Sequence, residues 1–171
     1  MRILLAVLFG LFVFTIPGQV FPSLKGTTLE GKRADIPVRN GKYSLVAIAF
    51  HREAEEDLKK WLQPLYDAFI KKDSGDPFDM AEFHDVNFIF IPLIQGFRKV
   101  ADEFKANTDR HYWPYILDTE KTDIKTLQEE LGVKDQRKPH FYVLDPDGKV
   151  VATTDGSFSE KKMEILEESV K

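Results

Sequence analysis

The order of apolar segments predicts a layered α/β fold: a central mixed β-sheet flanked by helices, with a β-hairpin and a helix at the C-terminal end. Three observations carry this. The runs Tyr43–Phe50 and Asn87–Ile94 are apolar at nearly consecutive positions, the pattern of strands covered on both faces. Segments with helical spacing follow them, as strand and helix alternate. Near the end, Asp145-Pro146-Asp147-Gly148 separates His140–Leu144 from Lys149–Thr153, a turn signal between two antiparallel strands.

Taken in order, Phe21-Pro22-Ser23-Leu24 leads into a short strand pair turned at Leu29-Glu30-Gly31-Lys32. The first central strand, Tyr43–Phe50, is followed by a helix from Ala54 to about Lys71. Leu58, Trp61, Leu62, Leu65 and Phe69 form its apolar stripe, and Pro64 inside it is expected to bend it. The segment from Lys71 to His84 holds Asp73-Ser74-Gly75-Asp76-Pro77 and reads as a loop. A second strand follows, then a helix over Gln95–Ala106, a short third strand over Trp113–Leu117, and a helix capped by Thr122 and ended by Gly132. Ser159 is placed to cap the last helix, whose apolar face is Met163, Ile165 and Leu166.

Composition limits what such a domain can do. The chain has 171 residues, enough for one core, and its 14 Phe supply large side chains to fill it. Its net charge of −4, with both signs spread along the chain, lacks the basic stripe of a nucleic-acid binder. Arg2, the apolar run Ile3–Phe14 and then Pro17-Gly18-Gln19 have the order of a secretory leader, so residues 1–19 are expected to be a signal peptide or an N-terminal anchor. Residues 20–171 then form the domain. The expected location is periplasmic or secreted, with membrane association through an uncleaved leader as the alternative.

Several stretches give the domain a family likeness: FPSLKGTTLEGK, KYSLVAIAF, WLQPLYDAF, LGVKDQRKPHFYVLDPDGKVV and GSFSEKKMEIL. Together they resemble exported thioredoxin-like proteins of the thiol-disulfide oxidoreductase and peroxiredoxin superfamily. That resemblance implies a thioredoxin-like fold, with Pro139 in a cis peptide bond facing the loop after Phe50. A narrower likeness rests on Pro92-Leu-Ile-Gln-Gly-Phe-Arg98, Leu131-Gly-Val133, Phe141-Tyr-Val-Leu-Asp145 and Gly156-Ser-Phe-Ser-Glu160. These resemble the cysteine-free ATP synthase assembly factors of mitochondria and their bacterial relatives. That likeness implies a non-redox role in subunit assembly and a protein client, and it transfers no catalytic residue.

The departure from the larger superfamily falls where its thiols belong. After Phe50 the chain reads His51-Arg52-Glu53-Ala54-Glu55-Glu56-Asp57, and no cysteine occurs anywhere in it. Helix N-termini carry unpaired N–H groups and partial positive charge, which acidify a cysteine and equally stabilise carboxylates. The candidate binding surface is therefore His51, Arg52, Glu53, Glu55, Glu56 and Asp57, opposite Pro139 and His140. The alternative reading of the acidic residues is an ordinary solvated helix start. No cofactor is implied. A runner-up function, a metal-dependent enzyme, would use His51, His140 and nearby carboxylates, residue types that suit zinc. The aromatic cluster His111-Tyr112-Trp113-Pro114-Tyr115 is another candidate surface, since Trp and Tyr often anchor partners, with packing of a short strand beneath the neighbouring helix as the alternative.

Disulfide reduction, disulfide isomerisation and thiol peroxidase chemistry all need a thiolate, so this chain has none of them. Insulin reduction and peroxide turnover by the purified protein are expected to stay at buffer background with or without reductant. Thiol-dependent turnover by the pure chain would contradict this.

Overall fold

The computed structural model describes residues 18–70, 85–93, 105–119 and 121–170. The apolar run Ile3–Phe14, the loop from Lys71 to His84 and all but the last two residues of the helix expected over Gln95–Ala106 lie outside them. Seven strands are seen among the described residues: β1 (Leu24–Thr28), β2 (Arg33–Ile36), β3 (Ser44–Ala49), β4 (Asn87–Pro92), β5 (Leu117–Thr119), β6 (His140–Leu144) and β7 (Val150–Asp155). The α-helices that lie wholly among the described residues are α1 (Arg52–Phe69), α2 (Ile124–Glu130) and α3 (Glu160–Glu168), and Lys105 and Ala106 are helical as well.

Strands β4-β3-β6-β7 form one sheet and β2-β1-β5 another, joined by a parallel bridge between Phe90 and Ile116. β3 runs parallel to β4, with Val46 opposite Ile89, and antiparallel to β6, with Ala47 opposite Phe141. All six residues of β3 are buried, as a strand apolar on both faces requires. Its alternate side chains feed two cores. Leu45, Ala47 and Ala49 pack with α1 and with Met163 and Leu166 of α3. Val46 and Ile48 face the other way, with Phe21, Ile36, Leu127 and Leu131.

The turns behave as their residues dictate. Gly31 has φ +91 and its N–H donates to the Thr28 carbonyl at 2.7 Å, closing the β1–β2 hairpin. In the β6–β7 turn, Gly148 has φ +80 and the Asp145 carboxylate accepts from the N–H groups of Asp147 and Lys149, each at 2.9 Å.

Four expectations change. The segment expected to form a strand over Trp113–Leu117 is a 3₁₀ helix over Arg110–Tyr115, and the strand begins only at Leu117. Asp109 caps that helix, accepting from the His111 N–H at 3.2 Å, and Pro114 has no N–H to give to a ladder. α2 is capped by Asp123 rather than Thr122, because the Asp123 carboxylate accepts from Lys125 N–H, Thr126 N–H and the Thr126 hydroxyl. Ser159 occupies the cap position of α3, but its side chain makes no cap hydrogen bond. The peptide bond before Pro139 is trans; the cis X-Pro bond among the described residues is Ile36–Pro37. A turn at Asp135 reverses the chain ahead of Pro139: its carbonyl accepts from Lys138 N–H at 3.3 Å and its carboxylate from Arg137 N–H at 3.0 Å.

α1 begins two residues before the expected start at Ala54 and contains Pro64 within its length. Trp61, in its middle, is fully buried and lies against the Phe141 ring at 4.3 Å and the Phe158 ring at 5.1 Å. Its indole Nε1–H donates to the Gly156 carbonyl at 3.0 Å, so the polar edge of the ring is satisfied inside the core. Trp61→Phe keeps most of the apolar area but strands that buried carbonyl, and is expected to cost about 1–3 kcal/mol. Trp61→Ala adds a cavity and is expected to cost about 3–5 kcal/mol. Urea unfolding of the two variants would measure both, and a Trp61→Phe variant as stable as the wild type would show the bond to be dispensable.

Candidate functional site

The site is built where β3 ends and α1 begins, because the last residues of β3 aim the helix N-terminus at the start of β6. His51 leaves the strand with extended backbone and caps α1, its Nδ1 accepting from the Glu53 N–H at 3.2 Å. Across the sheet, Ile48 stands opposite His140, and the rings of Phe50 and His140 meet edge to face at 6.1 Å. His140 is buried, with Nε2 2.9 Å from the Asp135 carbonyl. Pro139 is buried as well, and its carbonyl accepts from Gly156 N–H at 2.8 Å. Pro139 and His140 are therefore covered, and the exposed members of the candidate set lie at the helix start.

A third segment, the loop Gly156–Phe158 after β7, joins these parts and was not assigned to the site from sequence. Gly156 bonds Pro139 on one side and Trp61 on the other, and the Ser157 hydroxyl donates to Asp57 Oδ2 at 2.7 Å. The available signal was a glycine directly after a strand, followed by small and aromatic residues. Gly156 has φ +83, a conformation that side chains rarely adopt.

The acidic rim turns out to be paired within its own helix. Glu55 bonds Lys59 at 2.8 Å with its side chain only 12% exposed, and Glu56 reaches the same lysine at 3.3 Å. Asp57 bonds Lys60 at 2.7 Å. Burial works against the Lys59 charge, but the Glu55 and Glu56 carboxylates outweigh it and hold its pKa above the usual lysine value. Arg52, Glu53 and Glu56 are the exposed members of the predicted set, with His51, Glu55 and Asp57 partly covered.

The arrangement supports non-covalent contact. Among the described residues no group of three or more His, Asp or Glu side chains is disposed to hold a metal ion. His51 Nδ1 is engaged by Glu53 N–H and His140 Nε2 lies against the Asp135 carbonyl, so the two imidazoles are held by their own neighbours. The aromatic cluster is largely packing. Tyr112 is buried with its hydroxyl donating to Gln63 Oε1 at 2.7 Å, and Trp113 donates to the Thr108 carbonyl at 3.1 Å. Elsewhere, a cleft of about 350 Å³ opens between Leu24 and Lys25 of β1 and Thr126 and Leu127 of α2.

Residues 18–171, which span every described residue, match the family model of the ATP10 protein. The chain belongs to the ATP10 protein family. Solved structures place this ATP10-family chain on the thioredoxin-like fold. The thioredoxin domain of a thiol-disulfide oxidoreductase from Bacteroides vulgatus is 24% identical, over 92% of this chain and 99% of that one, with a TM-score of 0.63. StoA from Bacillus subtilis is 20% identical over 89% and 98% of the two chains, with a TM-score of 0.55. BsSco, a member of the Sco family of cytochrome c oxidase assembly proteins, is 13% identical over 91% and 95%, with a TM-score of 0.56. At these identities the likeness is one of fold. A search of curated proteins found no match. Among the described residues of the ATP10-family chain, no helix is long and apolar enough to cross a membrane.

The Asp57 carboxyl is held below its ordinary value, first by the hydrogen bond from Lys60 and then by that from Ser157. A depressed folded pKa means that the unfolded chain takes up the proton first. The stabilisation is therefore complete above about pH 4 and is lost as pH falls through the lower folded value. Asp57→Asn is expected to flatten the acid limb of the stability curve in that window, measured as urea midpoints across the acid range. An acid limb identical to that of the wild type would show that the Asp57 contacts contribute nothing.

Proposed function

We propose that this chain is an exported, non-redox assembly factor that binds a protein client through the mouth formed by the start of α1. The observation that carries the reading is the membership of residues 18–171 in the ATP10 family, on a scaffold whose relatives in fold include thiol-disulfide oxidoreductases while its own reactive loop has no thiol. Without a thiol, what survives of such a mouth is shape, exposed charge and a fixed backbone. Arg52, Glu53 and Glu56 would make the outer contacts, with His51 shaping the entrance over the buried Pro139 and His140. Export is supported by Arg2 and the apolar run Ile3–Phe14 ahead of Pro17 and Gly18. The likeness to ATP synthase assembly factors makes a subunit of that complex the first client to test.

Depleting the protein from its host is expected to lower the amount of fully assembled ATP synthase on native gels, with subunit messages unchanged. The wild-type chain is expected to restore it, and a chain carrying Arg52→Glu and Glu53→Lys is expected to restore it poorly. Unaltered assembly after complete depletion would overturn the assembly reading.

A further inference from the structure

We propose that the open edge of β7 is a second docking site, taking an extended, uncharged segment of the client, rich in β-branched residues, as an added antiparallel strand. The proposal rests on the protein-binding reading above but on different residues.

The two outer edges of the sheet system are treated differently. β2 carries Arg33 and Asp35 as exposed side chains and runs into Pro37, the charged and proline-bounded form that discourages further pairing. β7 has no charged residue from Val150 to Thr154. The hydrogen bond from Gly156 N–H to the Pro139 carbonyl makes His140 and Asp155 a non-hydrogen-bonded pair, and Tyr142 and Thr153 the next one. The backbone groups of Thr153 and Asp155 therefore point away from β6, and among the described residues no strand lies beside them.

Apolar exposure marks the same edge. The exposed large hydrophobic side chains among the described residues are Val20 at 53%, Val151 at 40% and Phe158 at 37%. Val151 is in β7, Phe158 is three residues beyond its end, and Val20 bridges to Lys149 just before its start. Isolated apolar residues on a surface mean little, but Val151 and Phe158 at one strand edge, continued by Val20 where that edge is already paired, form the kind of surface that β-strand addition uses.

The chain itself shows what this edge accepts. At its first residue, Val150 N–H donates to the Gln19 carbonyl at 2.8 Å and the Val150 carbonyl accepts from Gly18 N–H at 3.5 Å. Gln19-Val20 is thus an uncharged, antiparallel neighbour of the start of β7, and among the described residues its pairing reaches Val150. A client segment of the same chemistry would continue that ladder over Val151–Asp155, with its side chains against Val151 and Phe158.

The test uses the full chain and a short acetylated, amidated peptide of alternating Val and Thr carrying a fluorophore, read by anisotropy. The wild type is expected to bind it with little dependence on salt, because the peptide is uncharged and so is the edge from Val150 to Thr154. Thr153→Pro removes an outward N–H while leaving the bonds to β6, and Val151→Lys puts a charge on the edge. Each is expected to weaken binding about tenfold, the worth of a main-chain hydrogen bond or two, with near-UV circular dichroism unchanged. Ala34→Lys on β2 is expected to leave binding as it is. Two folded β7 variants that bind like the wild type, or no binding by the wild type, would overturn the proposal. A wild-type dimer in sedimentation that Thr153→Pro renders monomeric would also overturn it, giving the edge to a second copy. Peptide binding at β7 in a protein whose depletion leaves ATP synthase intact would keep the edge and sink the assembly reading. Impaired assembly without peptide binding would do the reverse.

Discussion

The bond from the Trp61 indole to the Gly156 carbonyl is the contact on which the arrangement of the site depends. Gly156 also donates to the Pro139 carbonyl, so one residue ties the middle of α1 to the entrance of β6. Phe141 and Phe158 hold the indole ring between strand and loop. A buried indole N–H without an acceptor is costly, and a buried carbonyl without a donor equally so, which leaves the pair one good register. With α1 fixed in that register, its first turn lies beside the end of β3 and the Asp57 carboxylate meets the Ser157 hydroxyl.

The helix start shows how the scaffold holds together without redox chemistry. In a thiol-bearing relative the unpaired N–H groups and positive end of such a helix would stabilise a thiolate. Here the His51 ring takes up one of those N–H groups, and the carboxylates that follow are matched one turn later by Lys59 and Lys60. Such pairs on an exposed helix surface contribute only a few tenths of a kcal/mol each. Their consequence is chemical rather than energetic: the carboxylates are engaged as hydrogen-bond acceptors, and because Glu55 and Glu56 share Lys59, one negative charge remains at the helix start beside Arg52 and Glu53.

Most of the scaffold was legible because its signals are periodic or local. β3 and β4 were readable as continuous apolar runs, α1 by its stripe from Leu58 to Phe69, and the β6–β7 hairpin by its turn residues. The errors came where two local signals competed. Aromatic residues at 112–115 suggested a strand, but the Asp109 cap and Pro114 favoured a tight helix. Thr122 and Asp123 are both good caps, and the carboxylate one residue nearer the helix won. The cis bond expected at Pro139 followed from family likeness, whereas the Asp135 turn reverses the chain there with a trans bond. The pairing of Glu55 with Lys59 has the i,i+4 spacing that helix geometry brings together, a signal outweighed by the density of acidic residues from 53 to 57. The loop Gly156–Phe158 was missed because its role lies in contacts with residues about a hundred positions away, which no local pattern encodes.

That same loop places the mouth and the β7 edge in one mechanical unit. Phe158 packs against Trp61 with one face and remains partly exposed at the end of β7 with the rest. The ring of Phe158 thus stands between the β7 edge and the indole that fixes α1 through the Gly156 carbonyl. In a protein without a reactive thiol, selection between clients would come from this geometry: an uncharged extended segment for the edge, followed at the right distance by charges that complement Arg52 and Glu53.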